Sequence, residues 1–155
     1  WIWVYIGNFI GSILVSSTLY YFGHVGDNQA MLDVFNAIAI KKVGYSFMGA
    51  TVLGIFCNFL VCIAVYLAFQ AKTVTEKVIS IFLPIMFFVV LGYEHSIANM
   101  FYLSMGFFGK GISLGEGLIG NLLPVTIGNI IGGVALGLIV NYINQTNKKT
   151  KKNKK

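Results

Sequence analysis

Glu94 and His95 stand side by side in the stretch GYEHSIANMF, residues 92–101. By type they are a proton-handling pair. A carboxylate accepts a proton, and an imidazole, with an unperturbed pKa near 6.5, changes charge around neutrality. The setting gives the pair its weight: between Val78 and Gly109 no other Asp, Glu, Lys, Arg or His occurs. A charge at the centre of a bilayer costs at least about 2.5–3.5 kcal/mol on insertion scales. An ionisable pair kept inside so apolar a run therefore predicts function, against the plainer reading of a buried pair that fixes helix register. Structural and catalytic zinc wants three or four protein ligands, and the only other histidine, His24, lies far along the chain. The sequence accordingly predicts no metal, no cofactor and no catalytic residue, and favours a non-enzyme over an intramembrane acid–base enzyme.

The elements that must position the pair follow from composition. Of 155 residues 57% are hydrophobic and only 10% charged, with mean hydropathy +0.79. A soluble domain carries about 25% charged residues, so an integral membrane protein is expected. Four segments are long and apolar enough to cross: Trp1 to Phe22, Val43 to Ala71, Val78 to Met105 and Leu118 to Tyr142. About 20 residues span the hydrocarbon as a helix. The third segment is expected to be broken. Gly92 precedes the pair, Ser96 is placed to cap a new helix, and Asn99 lies one turn after His95. This predicts one half to about Leu91, an unwound piece, and a second half from about Ser96. Unwound backbone at membrane depth is tolerated inside a protein or against a water-filled cavity. The second half would aim its positive N-terminus at that cavity, which favours an anion.

Further candidates surround this break. Asn58, in GIFCNFLVC, either bridges helices or orients a neighbour. Lys42 is placed to snorkel at the outer mouth, to pair with Glu94, or to draw anions in. Phe88, two turns before His95, is an apolar side chain suited to a dry constriction. The stretch QAMLDVFNAIAIKK reads as a short surface helix, and GFFGKGISLGEGLIG, with six glycines in fifteen residues, as a flexible exposed loop. Cys57 and Cys62 read as small apolar fillers.

Lysines set the orientation. Net charge is +6, and Lys148, Lys149, Lys151, Lys152, Lys154 and Lys155 supply six of the eleven basic residues. They read as a solvated tail that holds the C-terminus in the cytoplasm, not as a nucleic-acid surface. The domain division expected is 1–143 in the membrane and 144–155 as basic cytoplasmic tail. Lys41 and Lys42 then fall outside, against the rule, and ask for a separate explanation. VYIGNFIGSILVS (4–16) and VTIGNIIGGVALG (125–137) align without gaps, with six identities in thirteen positions. The first runs outward and the fourth segment inward, so the match predicts an inverted-topology repeat. Three helices per half, together with a chain that opens on Trp1, predict the C-terminal part of a longer protein.

The stretches KVGYSFMGATVLGIFCNFLVCIAVYLA, LPIMFFVVLGYEHSIANMF, IGNIIGG and YIGNFIGS resemble the formate/nitrite transporters, channels for small monovalent anions such as formate, nitrite and hydrosulfide. Tyr93 replaces the more usual Phe of that family's motif. The resemblance implies a pentamer of aquaporin-like six-helix subunits with inverted repeats, both termini cytoplasmic, in the inner membrane of a bacterium, and one pore per subunit. It places the central pore histidine on His95, its adjacent glutamate on Glu94, the outer-vestibule lysine on Lys42, the family's asparagine on Asn58 and a constriction phenylalanine on Phe88. It also implies that the family's first two helices, with a gating threonine and further constriction residues, precede Trp1 and are needed to complete the pore. The wording of the helices is nearest the hydrosulfide branch, with formate next.

The expected fold is thus an all-α, aquaporin-like inverted-repeat bundle comprising four of six transmembrane helices. The expected function is selective passage of small weak-acid anions, with His95 lending a proton at an apolar constriction and Glu94, Lys42, Asn58 and Asn99 around it. An accessory membrane subunit without transport is the alternative.

Overall fold

The computed structural model describes residues 1–152, with side chains as far as Thr146. Six α-helices follow in order: α1 Ile2–Tyr21, α2 Gln29–Val43, α3 Phe47–Gln70, α4 Val74–Val90, α5 Ser96–Phe108 and, after a π-helical turn Glu116–Leu122, α6 Leu123–Lys152. Among the described residues there is no strand. The last helix runs on into the basic segment, whose end lies outside the described residues.

Short polar side chains set three helix starts. Asn28 accepts from the Met31 N–H (3.2 Å) at α2, and Ser46 from the Gly49 N–H (3.1 Å) at α3. At α4, Thr73 and Glu76 form a reciprocal capping box. The Lys72 and Thr73 backbone N–H groups hold the Glu76 carboxyl below the usual glutamate range. Pro124 is the second residue of α6, just past the π-helical turn, where its missing N–H leaves the α-helical ladder one donor short.

Three continuous stretches are long and apolar enough to cross a membrane: Ile2–Tyr21, Phe47–Gln70 and Glu116–Thr146. The expected third segment, Val78 to Met105, is divided between α4 and α5, separated by residues 91–95, as the Gly92 signal predicts. Gly92 adopts φ +69°, a conformation open to glycine and costly for other residues. The molecule has its polar groups inside: Ser16, Thr51, Glu94, Ser96, Asn99, Asn121 and Asn129 are buried, while Phe82, Val89 and Leu138 face outward. That inversion suits lipid as the solvent.

Helices α3 and α6 pack at backbone distance. A Cβ at Gly128 would run into the Thr51 carbonyl, one at Gly132 into the Ile55 carbonyl, and one at Gly54 would lie 2.8 Å from the Val125 carbonyl. Small residues on both helices permit this approach.

Two sequence expectations need correction. The 29–43 helix is not confined to the surface: Ala39 is fully buried against the Met100–Leu103 core of α5, and the Asn36 side-chain N–H donates to the Gly109 carbonyl (3.1 Å). Nor is GFFGKGISLGEGLIG an exposed loop throughout. Gly106 lies buried inside α5, Ile112 and Gly117 are buried, and Asn36 closes over Gly109 and Gly111. Its glycines serve close packing as well as turning.

Candidate functional site

The site is the break between α4 and α5. The chain leaves α4 at Leu91, turns at Gly92 and re-enters helix at Ser96. Glu94 is buried, with the carboxylate wholly enclosed by donors. Lys42 Nζ lies 3.0 and 3.2 Å from its two oxygens. The Asn99 amide donates to Oε2 at 2.6 Å and Asn121 donates to the same oxygen at 3.2 Å. Asn99 also donates to the Asn121 side-chain oxygen (2.7 Å), and Asn121 donates to the Lys42 carbonyl (2.8 Å). Lys42 arrives on the last turn of α2 and passes 5.7 Å above the Tyr102 ring. A buried carboxylate is stable only when paired and hydrogen-bonded, and both conditions hold. The ion pair thus accounts for the burial of the Lys42 side chain.

His95 faces the other way. Its ring stacks on Phe88 with centroids 5.9 Å apart. Its Nδ1 accepts the Ala98 backbone N–H at 3.3 Å, so His95, not Ser96 as the sequence predicts, is the N-cap of α5. An accepting Nδ1 carries no proton, which puts the ring proton of the neutral imidazole on Nε2. Among the described residues Nε2 has no partner, so it is the ring nitrogen free to meet a solute. Ser96 instead gives its N–H to the side-chain oxygen of Asn129 (2.9 Å).

Asn129 and Asn121 are the residues that the sequence analysis does not single out. Asn129 is buried on α6 and its amide donates to the Gly54 and Glu94 carbonyls, each at 2.9 Å. With the Ser96 bond it clamps both sides of His95. A signal was present, because Asn129 is the Asn of the repeated IGN-x-IG. Asn58 does not join the Glu94 cluster: its amide donates to the Asn129 backbone carbonyl, bridging α3 to α6. The structure therefore brings Glu94, Lys42 and Asn99 together, sets His95 on Phe88, and leaves Asn58 as a bridge behind the clamp. Cys57 and Cys62 are free thiols, the first buried, and no group of three metal-ligating side chains occurs among the described residues.

Asn129→Ala removes three partners from buried main chain, where an unsatisfied group costs about 1–3 kcal/mol. The expected result is a loss of about 2 kcal/mol or more, with faster amide exchange at Ser96 and Ile97 than at the α3 core. Unchanged exchange at those amides would show that Asn129 does not hold the break.

Comparison with known proteins places the chain among relatives. The family model described as formate/nitrite transporter matches residues 1–143. The formate channel FocA of Haemophilus influenzae is 34% identical over 94% of this chain and 59% of its own length. The formate channel BtFdhC of Bacillus thuringiensis is 41% identical over 86% of this chain and 51% of its own. A solved structure, a pentameric formate channel with formate bound, superposes with a TM-score of 0.84 at 31% identity, covering 92% of this chain and 64% of that one. The chain thus spans 51–59% of the length of these two formate channels and 64% of the solved structure. With a matching family model across nearly its whole length, a matching fold and a broken helix carrying Glu94 and His95, the chain belongs to the formate/nitrite transporter family.

Proposed function

We propose that the full protein passes small monovalent weak-acid anions such as formate, hydrosulfide and nitrite through a pore beside His95. The observation that carries this is the division of labour at the break. Glu94 and Lys42 neutralise each other, so the pair adds no net charge to the path. The imidazole beside them keeps one nitrogen free, at the positive end of α5 and against the apolar ring of Phe88. An anion drawn to that helix end meets a proton donor where dehydration is most costly. Charged by a proton taken from bulk water, the imidazole passes a proton to the weak acid and returns to its neutral form, and the acid crosses the apolar zone neutral and releases that proton to the water beyond. Asn99 and Glu94 fix the ring's footing, and Asn58 holds α3 to the clamp.

On this reading residues 1–143 form part of a channel subunit and 144–155 a basic tail on the cytoplasmic side of a bacterial inner membrane. Five copies assemble, as in the pentameric formate channel that this chain resembles. Helices preceding Trp1 supply the remaining wall of the pore. An accessory subunit without transport is the competing reading.

The test is uptake by the full-length protein in proteoliposomes. Formate, hydrosulfide, nitrite and chloride are compared at two pH values, with formate first because the relatives named above are formate channels. Weak-acid uptake that outruns chloride and rises as pH falls is the expected result. Equal or absent uptake of all four would leave the accessory reading standing.

A further inference from the structure

We propose that the cavity between α1, α5 and the π-helical turn holds one acyl chain of a membrane phospholipid, with the lipid phosphate at Lys110. The site lies apart from His95 and does not depend on what the protein transports.

The cavity measures about 160 Å³ and is walled by Phe9 and Ile13 of α1, Leu103 and Phe107 of α5, and Leu118 and Leu122 of the π-helical turn. Its lining follows α5 from Phe108 inward to Met100, roughly 12 Å at 1.5 Å per residue. Water is a poor occupant. An internal water needs two or more polar partners, and the two hydroxyls in the wall are already engaged. Ser104 donates to the Met100 carbonyl of its own helix and Ser113 to the Glu116 carboxylate, each at 2.7 Å. An apolar space that runs along half of a broken crossing matches an acyl chain. Met100 and Leu122 in its wall adjoin Asn99 and Asn121 in sequence, so a chain seated there braces the turn that carries Asn121.

The mouth of the cavity has the chemistry of the headgroup level. Phe107, Phe108, Ile112 and Ser113 also line an open polar groove, which adds Tyr21, Lys110 and Glu116. Tyr20 and Tyr21 set their rings against Phe108, with centroids 5.8 and 6.1 Å away. Tyrosines gather where a membrane meets water. Of the two charges in the groove, the Glu116 carboxylate is occupied by the Ser113 N–H and hydroxyl, both at 2.7 Å. Lys110 has no ion-pair partner among the described residues. It stands at φ +57° between Gly109 and Gly111, in a conformation that glycine adopts freely and lysine does not. A side chain kept where its own backbone is strained points to a task for that side chain. An unpaired cation at headgroup level complements a lipid phosphate, and the cavity beside it takes the chain attached to that phosphate. A role at the C-terminus of α5 alone would use the charge and leave the cavity unfilled.

The experiment uses the full-length protein, stripped of lipid in detergent. It is then given dioleoyl phosphatidylglycerol, dioleoylglycerol (the same chains without the phosphate) or inorganic phosphate. Native mass spectrometry counts bound lipid, and amide exchange is followed at residues 112–122. The expected result is one phosphatidylglycerol retained per subunit, with exchange at those amides slowed roughly tenfold or more when it is added. Gly117→Leu fills the cavity, because a Cβ there would meet only side chains at ordinary contact, Ile112 at 3.5 Å and Leu103 at 3.7 Å. It is expected to abolish both the retained lipid and the slowing. Lys110→Ala alters an exposed side chain and keeps the test open if Gly117→Leu does not fold. It is expected to weaken phosphatidylglycerol binding roughly fivefold, the worth of one lysine at a lipid surface, and to leave dioleoylglycerol binding unchanged. Retention unaffected by Gly117→Leu or by Lys110→Ala overturns the proposal, as does slowing produced by inorganic phosphate alone. So do amides at 112–122 that are as protected in the stripped protein as in the loaded one, because protein would then fill the cavity, from a second copy or from a segment ahead of Trp1.

Discussion

Replacing Lys42 with alanine is expected to destabilise the protein by about 3–5 kcal/mol, the cost of stripping one partner from a buried ion pair. At about 2–4 °C per kcal/mol for a chain of this size, the melting temperature falls by about 10 °C. The cause is what remains. Glu94 keeps Asn99 and Asn121 as donors to Oε2, but Oε1 loses the Lys42 ammonium at 3.0 Å and gains no water, since the Glu94 side chain is only 4% exposed. The same logic predicts rescue. In Lys42→Met with Glu94→Gln, the amide oxygen of Gln still accepts from Asn99 and Asn121 and no charge is buried. Neutral replacement of a buried pair is often close to neutral in stability, so the double variant is expected to melt within a few degrees of the parent. Raised salt should leave the Lys42→Ala deficit in place, because buried pairs are weakly screened. A double variant as unstable as Lys42→Ala alone would mean that the ammonium serves packing and not charge balance.

What the sequence made legible, and what it did not, divides along physical lines. Glu94 and His95 were legible because charge inside an apolar run is costly and needs a reason, and Lys42 because a cation at the edge of such a run can reach Glu94. The break was legible because Gly92 sits beside that charge. The N-cap was not: serine is the better cap by propensity, yet the Ser96 N–H is taken by Asn129, 33 residues away, and His95 is left to cap. The partners of Asn121 and Asn129 were illegible for a related reason. An asparagine in an apolar helix reveals its partners only once the fold has brought distant main chain against it. The glycines of 106–120 misled because composition cannot separate a glycine needed for flexibility from one needed because Asn36 leaves no room. The one signal that pointed to Asn129 in advance was its twin at position 8 of the repeat.

His95→Asn separates the cap that His95 makes from the proton transfer proposed for it. Asparagine is among the best N-caps, so it can take the Ala98 N–H in place of Nδ1 and keep α5 starting where it does. It cannot titrate. The expected protein is folded, assembles as the parent does and melts within a few degrees of it, yet its uptake of weak-acid anions no longer rises as pH falls. The size of the loss follows from the charge the permeant must then carry: about 2.5–3.5 kcal/mol for an ion in the apolar zone, or roughly a 100-fold slower flux at 1.36 kcal/mol per decade. His95→Phe makes the complementary variant. It keeps a ring to stack on Phe88 but loses both the cap and the proton, so it should lose flux to the same extent and about 1 kcal/mol of stability besides. If His95→Asn retained pH-dependent uptake near parental rates, the proton would have to come from solvent or from another group, and His95 would be a cap beside the path and nothing more.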